Sequence, residues 1–148
     1  MTRAVFDTNL LVSAFLTRHH PAGASTELLR FVETEAVELC LSREIIEEAA
    51  ATLVRSERLQ RRYRYTPDLA VQFCASLFIV ATIIVDPPPL PAATCRDPDD
   101  DKIIACAAAA QAEYLVSRDL DLLSLETYGA IRMISPESFL ALLRAARL

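Results

Sequence analysis

Apolar and polar positions along the chain alternate in blocks that call for strands and helices in turn. Arg3 to Phe6 reads as a short buried strand, because Ala4, Val5 and Phe6 are apolar without alternation. Asn9 to Leu16 then carries a helical pattern, His19 to Gly23 reads as a loop, and Ser25 to Thr34 as a second helix. Ala36 to Leu41 (AVELCL) is a strand, and Ser42 is placed to cap the helix opening SREIIEEAAATLV. The Arg-rich segment that follows either continues this helix or begins another. Thr66-Pro67-Asp68 starts a helix running to about Ala81, since proline suits the first helical position. Thr82 to Val85 is β-branched and ends at Asp86 and a proline loop. Asp97-Pro98 opens the next helix, Glu113 to Val116 is a strand, and Ser117 to Leu125 is a loop with a helical turn. Ala130 to Ile134 is the last strand, and Ser135-Pro136-Glu137 begins the terminal helix.

Strands alternating with helices, several without polar alternation, predict a mainly parallel sheet covered on both faces. The expected architecture is a three-layer α/β/α sandwich with a central, mainly parallel sheet. At 148 residues and 53% hydrophobic content the chain suits one domain, 1–148, with a sizeable core. The longest apolar stretch, Cys74 to Val85, is too short to span a bilayer, and no secretory signal opens the chain. No membrane association is therefore expected. The four cysteines form no CxxC pair and lie away from both histidines, which argues against a zinc or disulfide framework and for a reducing cytoplasm.

Net charge is −5, which disfavours generic nucleic-acid binding, but the two signs are segregated. RSERLQRRYRY (Arg55 to Tyr65) holds five Arg against one Glu, with two Tyr interleaved. Arg58, Arg61 and Arg62 are its candidate phosphate contacts, with tyrosine as a stacking platform. The acids gather elsewhere. Parallel sheets place their binding crevice at the carboxyl ends of the strands. Asp7 ends the first strand, Asp119 follows the YLV strand, Asp101 lies in the first turn of a helix, and Glu47 and Glu48 lie in the second turn of another. Four segments thus deliver carboxylates to one rim. Such groups repel one another and lose water on burial, a conflict that a divalent cation removes. A run that stops on Asp7 instead of on a glycine or proline turn is then explained, because its end is where a metal would be held. The two adjacent histidines cannot easily face one ion and read as a surface loop, and no Ser or Cys has a base arranged beside it.

FDTNLLVSA, DPDDDKIIACA and LVSRDLDLL, in that order, resemble the PIN-domain family, and within it the toxin components, related to VapC-type toxins, of toxin–antitoxin systems. The resemblance implies a Rossmann-like, mainly parallel sheet and a Mg²⁺- or Mn²⁺-dependent ribonuclease cutting single-stranded RNA. Carried over by position, Asp7 is the first acid and Asn9 supports it through its amide. The second is Glu48, with Glu47 as runner-up because a helical wheel does not separate them. The third acid precedes the Ile-Ile-Ala run, which selects Asp101; the fourth is Asp119, after Ser117, with Asp121 as a supporting or alternate ligand. Asp7, Asp101 and Asp119 are the implied metal ligands. An antitoxin that blocks the carboxylates, often with an Arg, is the implied partner, and the apolar helix Leu69 to Val80 reads either as core or as the surface of an expected homodimer. The chain is longer than a typical VapC-type toxin, which leaves substrate and partner open. A non-toxic RNA-processing nuclease is the nearest alternative. A haloacid-dehalogenase-like phosphatase also begins with a strand ending in Asp, but it wants a second Asp where Asn9 stands.

Overall fold

A computed structural model describes residues 1–20, 23–91, 95 and 97–146. Pro21 and Ala22 of the loop expected over His19 to Gly23, and residues 92–94 and 96 of the connection after the prolines, lie outside the described residues. In chain order the elements are β1 (Thr2–Phe6), α1 (Thr8–Leu16), α2 (Ala24–Glu33), β2 (Val37–Ser42), α3 (Arg43–Arg55), α4 (Glu57–Tyr63), α5 (Pro67–Val80) and β3 (Thr82–Ile84). There follow α6 (Pro98–Ala110), β4 (Tyr114–Val116), α7 (Leu120–Leu123), β5 (Thr127–Tyr128), β6 (Ile131–Ile134) and α8 (Pro136–Ala146).

The six strands form one sheet in the order β3-β2-β1-β4-β6-β5. All neighbours are parallel except β5, which pairs antiparallel with β6. β1 is central, flanked by β2 and β4, and its Ala4, Val5 and Phe6 are fully buried. A strand covered on both faces has no solvent side, which is why its sequence lacks polar alternation. The chain leaves β1 toward β2 on one side and later returns to β4 on the other. The strand order therefore reverses between β1 and β4, the place where open α/β sheets form a crevice.

Helices flank the sheet. α6 packs across β1, β2, β3 and β4, while α3 packs against α1 and α5. Phe6 meets Phe139 of α8 edge-on at 6.4 Å between ring centroids, so α8 closes the core beside β1. The Arg-rich segment is its own helix. α3 ends at Ser56, whose hydroxyl accepts a hydrogen bond from the Leu59 amide at 3.2 Å and caps α4. Polar tethers then fix α4 against α3. The Gln60 side-chain amide donates to the Val54 carbonyl at 2.8 Å, and the Tyr65 hydroxyl donates to the Leu53 carbonyl at 2.7 Å. The sequence reading missed β5, a two-residue strand closed onto β6 by a turn in which Gly129 takes φ +58°. So short a strand shows no periodicity; only its pairing defines it.

Candidate active site

Asp7 follows the last residue of β1, and its amide donates to the Val116 carbonyl of β4 at 3.0 Å. This bond crosses the point where strand order reverses. Ser117, fully buried just after β4, donates its hydroxyl proton to Asp7 Oδ2 at 2.6 Å. The same hydroxyl oxygen accepts the Asp119 amide at 2.9 Å, and Asp119 Oδ1 accepts the Asp121 amide at 2.9 Å as the cap of α7. One serine thus ties the carboxylate ending β1 to the loop that carries the next. Glu48 reaches the same place from α3 and accepts a hydrogen bond from the Thr8 hydroxyl at 3.4 Å.

These groups line a cleft of about 590 Å³ that also contains Asn9, Asp97, Asp99, Asp100 and Arg55. Asp7 and Asp100 are its two buried carboxylates, 5% and 7% exposed. Burial pushes Asp7 up from the ordinary carboxylate range, and the charge of Asp119 adds to this against the Ser117 hydrogen bond. Asp100 is pushed up to about 6, first by burial and then by the charges of Asp119, Asp7, Asp97 and Asp121. Glu48 is raised by burial and by the charge of Asp99, with Lys102 and Thr8 opposing. Asp7, Glu48 and Asp100 each feel the charge of at least one neighbouring carboxylate, as acids sharing a site do.

The structure brings Asp7, Glu48, Asp119 and Asn9 together. It does not bring Asp101. That carboxylate accepts the Cys95 amide at 2.8 Å and lines a separate cavity of about 420 Å³ with Ser42, Asp86, Pro87 and Pro98. Asp100 occupies the position in the cleft that the sequence reading gave to its neighbour. Successive helix residues diverge by about 100°, and the rotation of α6 leaves Asp99 and Asp100 on the cleft and Asp101 on the neighbouring cavity. Lys102, exposed, pairs with Asp99 at 3.5 Å. The same logic separates Glu48 from Glu47, which points to solvent and lies 4.0 Å from Arg43 on its own helix. Ser117 is a hydrogen-bonding bridge, and Asp121 lies beside the cleft without lining it. Arg58, Arg61 and Arg62 are all exposed on α4, beyond the end of the cleft marked by Arg55 and Ser56.

The donor set suits a hard divalent cation. It is all oxygen, and its carboxylates carry a repulsion that positive charge would relieve. A Mg²⁺-type ion keeps several waters and takes only one or two carboxylates directly. Among the described residues no group of three His, Cys, Asp or Glu side chains is close enough to hold an ion directly, so part of this set would reach one through water.

Carboxylates gathered at the topological switch point of a parallel α/β sheet are where such a fold could hold a divalent ion against a phosphate ester. The model of the PIN domain matches residues 3–121, and the chain belongs to that family. PIN domains share this Rossmann-like fold and are in general metal-dependent nucleases. No curated protein matches the sequence.

Proposed function

We propose that the chain is a Mg²⁺- or Mn²⁺-dependent endoribonuclease that hydrolyses internal phosphodiester bonds of single-stranded RNA. The observation that carries this reading is the convergence of Asp7, Glu48, Asp100 and Asp119, from four segments, on one cleft where two of them are buried. Asp7, Asp100 and Asp119 are the residues proposed to hold the metal, with Asp100 in the role first given to Asp101. When bound, the ion acidifies water and offsets the charge that develops on the phosphoryl oxygens. The protein's own groups do the rest. Ser117 holds the Asp7 carboxylate in one orientation and positions the Asp119 backbone. Glu48, held by Thr8, accepts a hydrogen bond from the attacking water and, its pKa raised by burial, is the stronger base for taking a proton from it. Asn9, exposed at the cleft wall, orients substrate through its amide. Arg58, Arg61 and Arg62 bind the RNA backbone beyond the cleft.

The finer biological reading is a toxin held inactive by a cognate antitoxin, supported by the resemblance of the three acidic motifs to VapC-type toxins. We take residues 1–148 as one cytoplasmic domain; all four cysteines are free thiols. No described helix is long and apolar enough to cross a membrane. A homodimer is supported by α5, which exposes Leu69, Val71, Phe78, Ile79 and Val80. Light scattering on the purified chain checks it, and a strict monomer removes it.

The test of activity is cleavage of an end-labelled single-stranded RNA in EDTA, Mg²⁺ or Mn²⁺ by wild type, Asp100→Asn and Asp101→Asn. Metal-dependent cutting lost in Asp100→Asn and kept in Asp101→Asn supports the site. Equal cutting of a DNA strand of the same sequence overturns the RNA assignment. No cutting of any nucleic acid by folded, metal-loaded protein overturns the nuclease.

A further inference from the structure

Glu48, Ala51, Thr52, Arg55 and Ser56 all line the acidic cleft. Their spacing is i, i+3, i+4, i+7 and i+8, a single face of α3. The cleft is therefore a groove running along that helix, with a carboxylate at one end and a guanidinium at the other. Helical rise puts Arg55 about 10 Å beyond Glu48 along the axis. Between them stand only Ala51 and Thr52, small enough to leave the floor open.

Arg55 is the sole cation among the described residues of the cleft lining. It is exposed and, among the described residues, forms no ion pair with the acids that share the cleft. Its position is nevertheless well defined. The carbonyls of Leu53 and Val54, immediately before it, accept hydrogen bonds from Tyr65 and Gln60 at 2.7 and 2.8 Å. The end of α3 is pinned while its last side chain stays available. Asn9 and Asp119 also line a neighbouring cavity together with Leu10 and Arg118.

We propose that Arg55 is a phosphate clamp for the substrate strand: it grips a backbone phosphate a step or two from the bond being cut, on the side leading to α4. The inference rests on the nuclease reading above. Its physical basis is that an acidic cleft repels a polyanion. A guanidinium left unpaired at the groove's end offers the bidentate contact that holds the strand over the carboxylates. It also makes the preferred substrate a strand that extends past the scissile bond toward α4. Arg55 acts by positioning; it does not touch the reacting atoms.

The experiment compares wild type, Arg55→Ala and Arg55→Lys on a single-stranded RNA with one cleavage site. A set of substrates each carries one neutral methylphosphonate at a different position on either side of that site. We expect Arg55→Ala to raise KM about ten-fold with kcat changed less than two-fold, and Arg55→Lys to fall between. The slope of log KM against log salt should drop by about 0.7, the value for one phosphate contact on a single strand. At one methylphosphonate position the wild type should already show the raised KM, and Arg55→Ala should add nothing. A penalty equal at every position overturns the clamp and makes Arg55 a general counter-charge to the acids. An unchanged KM overturns it too. Failure of the wild type to cut any substrate overturns the nuclease reading itself, which distinguishes the two failures. Mn²⁺ binding followed by electron paramagnetic resonance confirms that the variants keep the metal site.

Discussion

Replacing Asp100 by Asn separates the cost of the acidic cleft from its use. In the folded chain burial and the surrounding carboxylates raise the Asp100 pKa from 3.8 to about 6. A raised folded pKa means that the folded state binds the proton more tightly than the unfolded chain. The metal-free protein should therefore lose stability as pH rises from about 4 to above 6, then level off. A shift of this size corresponds to at most about 3 kcal/mol, and sharing of charge with Asp7 and Asp119 reduces it toward about 1 kcal/mol. Asn has the same shape and no charge. In EDTA at pH 7.5 the Asp100→Asn protein should melt higher than wild type by roughly 2–4 °C per kcal/mol recovered, with little difference near pH 4. RNA cleavage should fall at least about 100-fold in the same variant, since a positioned carboxylate is lost. Asp101→Asn should behave differently: it weakens, among other contacts of Asp101, the hydrogen bond from the Cys95 amide, costing about 1 kcal/mol or more, and keeps cleavage within several-fold. Calorimetry at pH 4 and 7.5, with cleavage rates measured on the same preparations, decides the matter. An Asp100→Asn protein that melts no higher than wild type at pH 7.5, or that still cuts at the wild-type rate, would refute the reasoning.

Addition of Mn²⁺ at pH 7.5 should raise the melting temperature of wild type by several degrees and release protons into a weakly buffered solution; the gain should be smaller at pH 5, where Asp100 is largely protonated, and a gain independent of pH would count against these carboxylates as ligands. Ser117→Ala removes the donor to Asp7 and the acceptor of the Asp119 amide, so we expect a loss of about 1–3 kcal/mol in denaturant titration and a clear fall in kcat. Glu48→Gln should cut kcat at least about 100-fold with KM little changed, whereas Glu47→Gln, on the exposed face, should stay within two-fold. Equal losses in the two glutamate variants would show that the α3 face has been assigned wrongly.

Most of the architecture is legible in one dimension because it depends on local signals. Unalternating apolar triplets such as Ala4-Val5-Phe6 mark buried strands, and Ser42 and Thr66-Pro67 mark helix starts by their capping chemistry. The break at Ser56, left open by the sequence, rests on the same capping chemistry but needed the tethers from Gln60 and Tyr65 to hold the second helix in place. β5 was not legible, since two residues cannot show a period and their strand character comes from β6 alone.

By itself the sequence determined that strands and helices alternate, that the sheet is mainly parallel, and that carboxylates collect at the strand ends. Those facts follow from apolar period and from residues next to element boundaries. Tertiary structure alone decided which acids meet. DPDDDK offers four aspartates within five residues, and the alanine-rich helix behind them, apolar on nearly every side, does little to mark its own buried face. Packing of α6 across the sheet sets its rotation, turns Asp100 into the cleft and leaves Asp101 on the Cys95 side. The groove along α3 has the same origin: the helix reads as an ordinary amphipathic one until α1, α5 and the sheet fix which stripe faces the acids. Rotation of a helix about its axis is a property of its neighbours, and a one-residue difference in that rotation is the difference between Asp100 and Asp101 in the site.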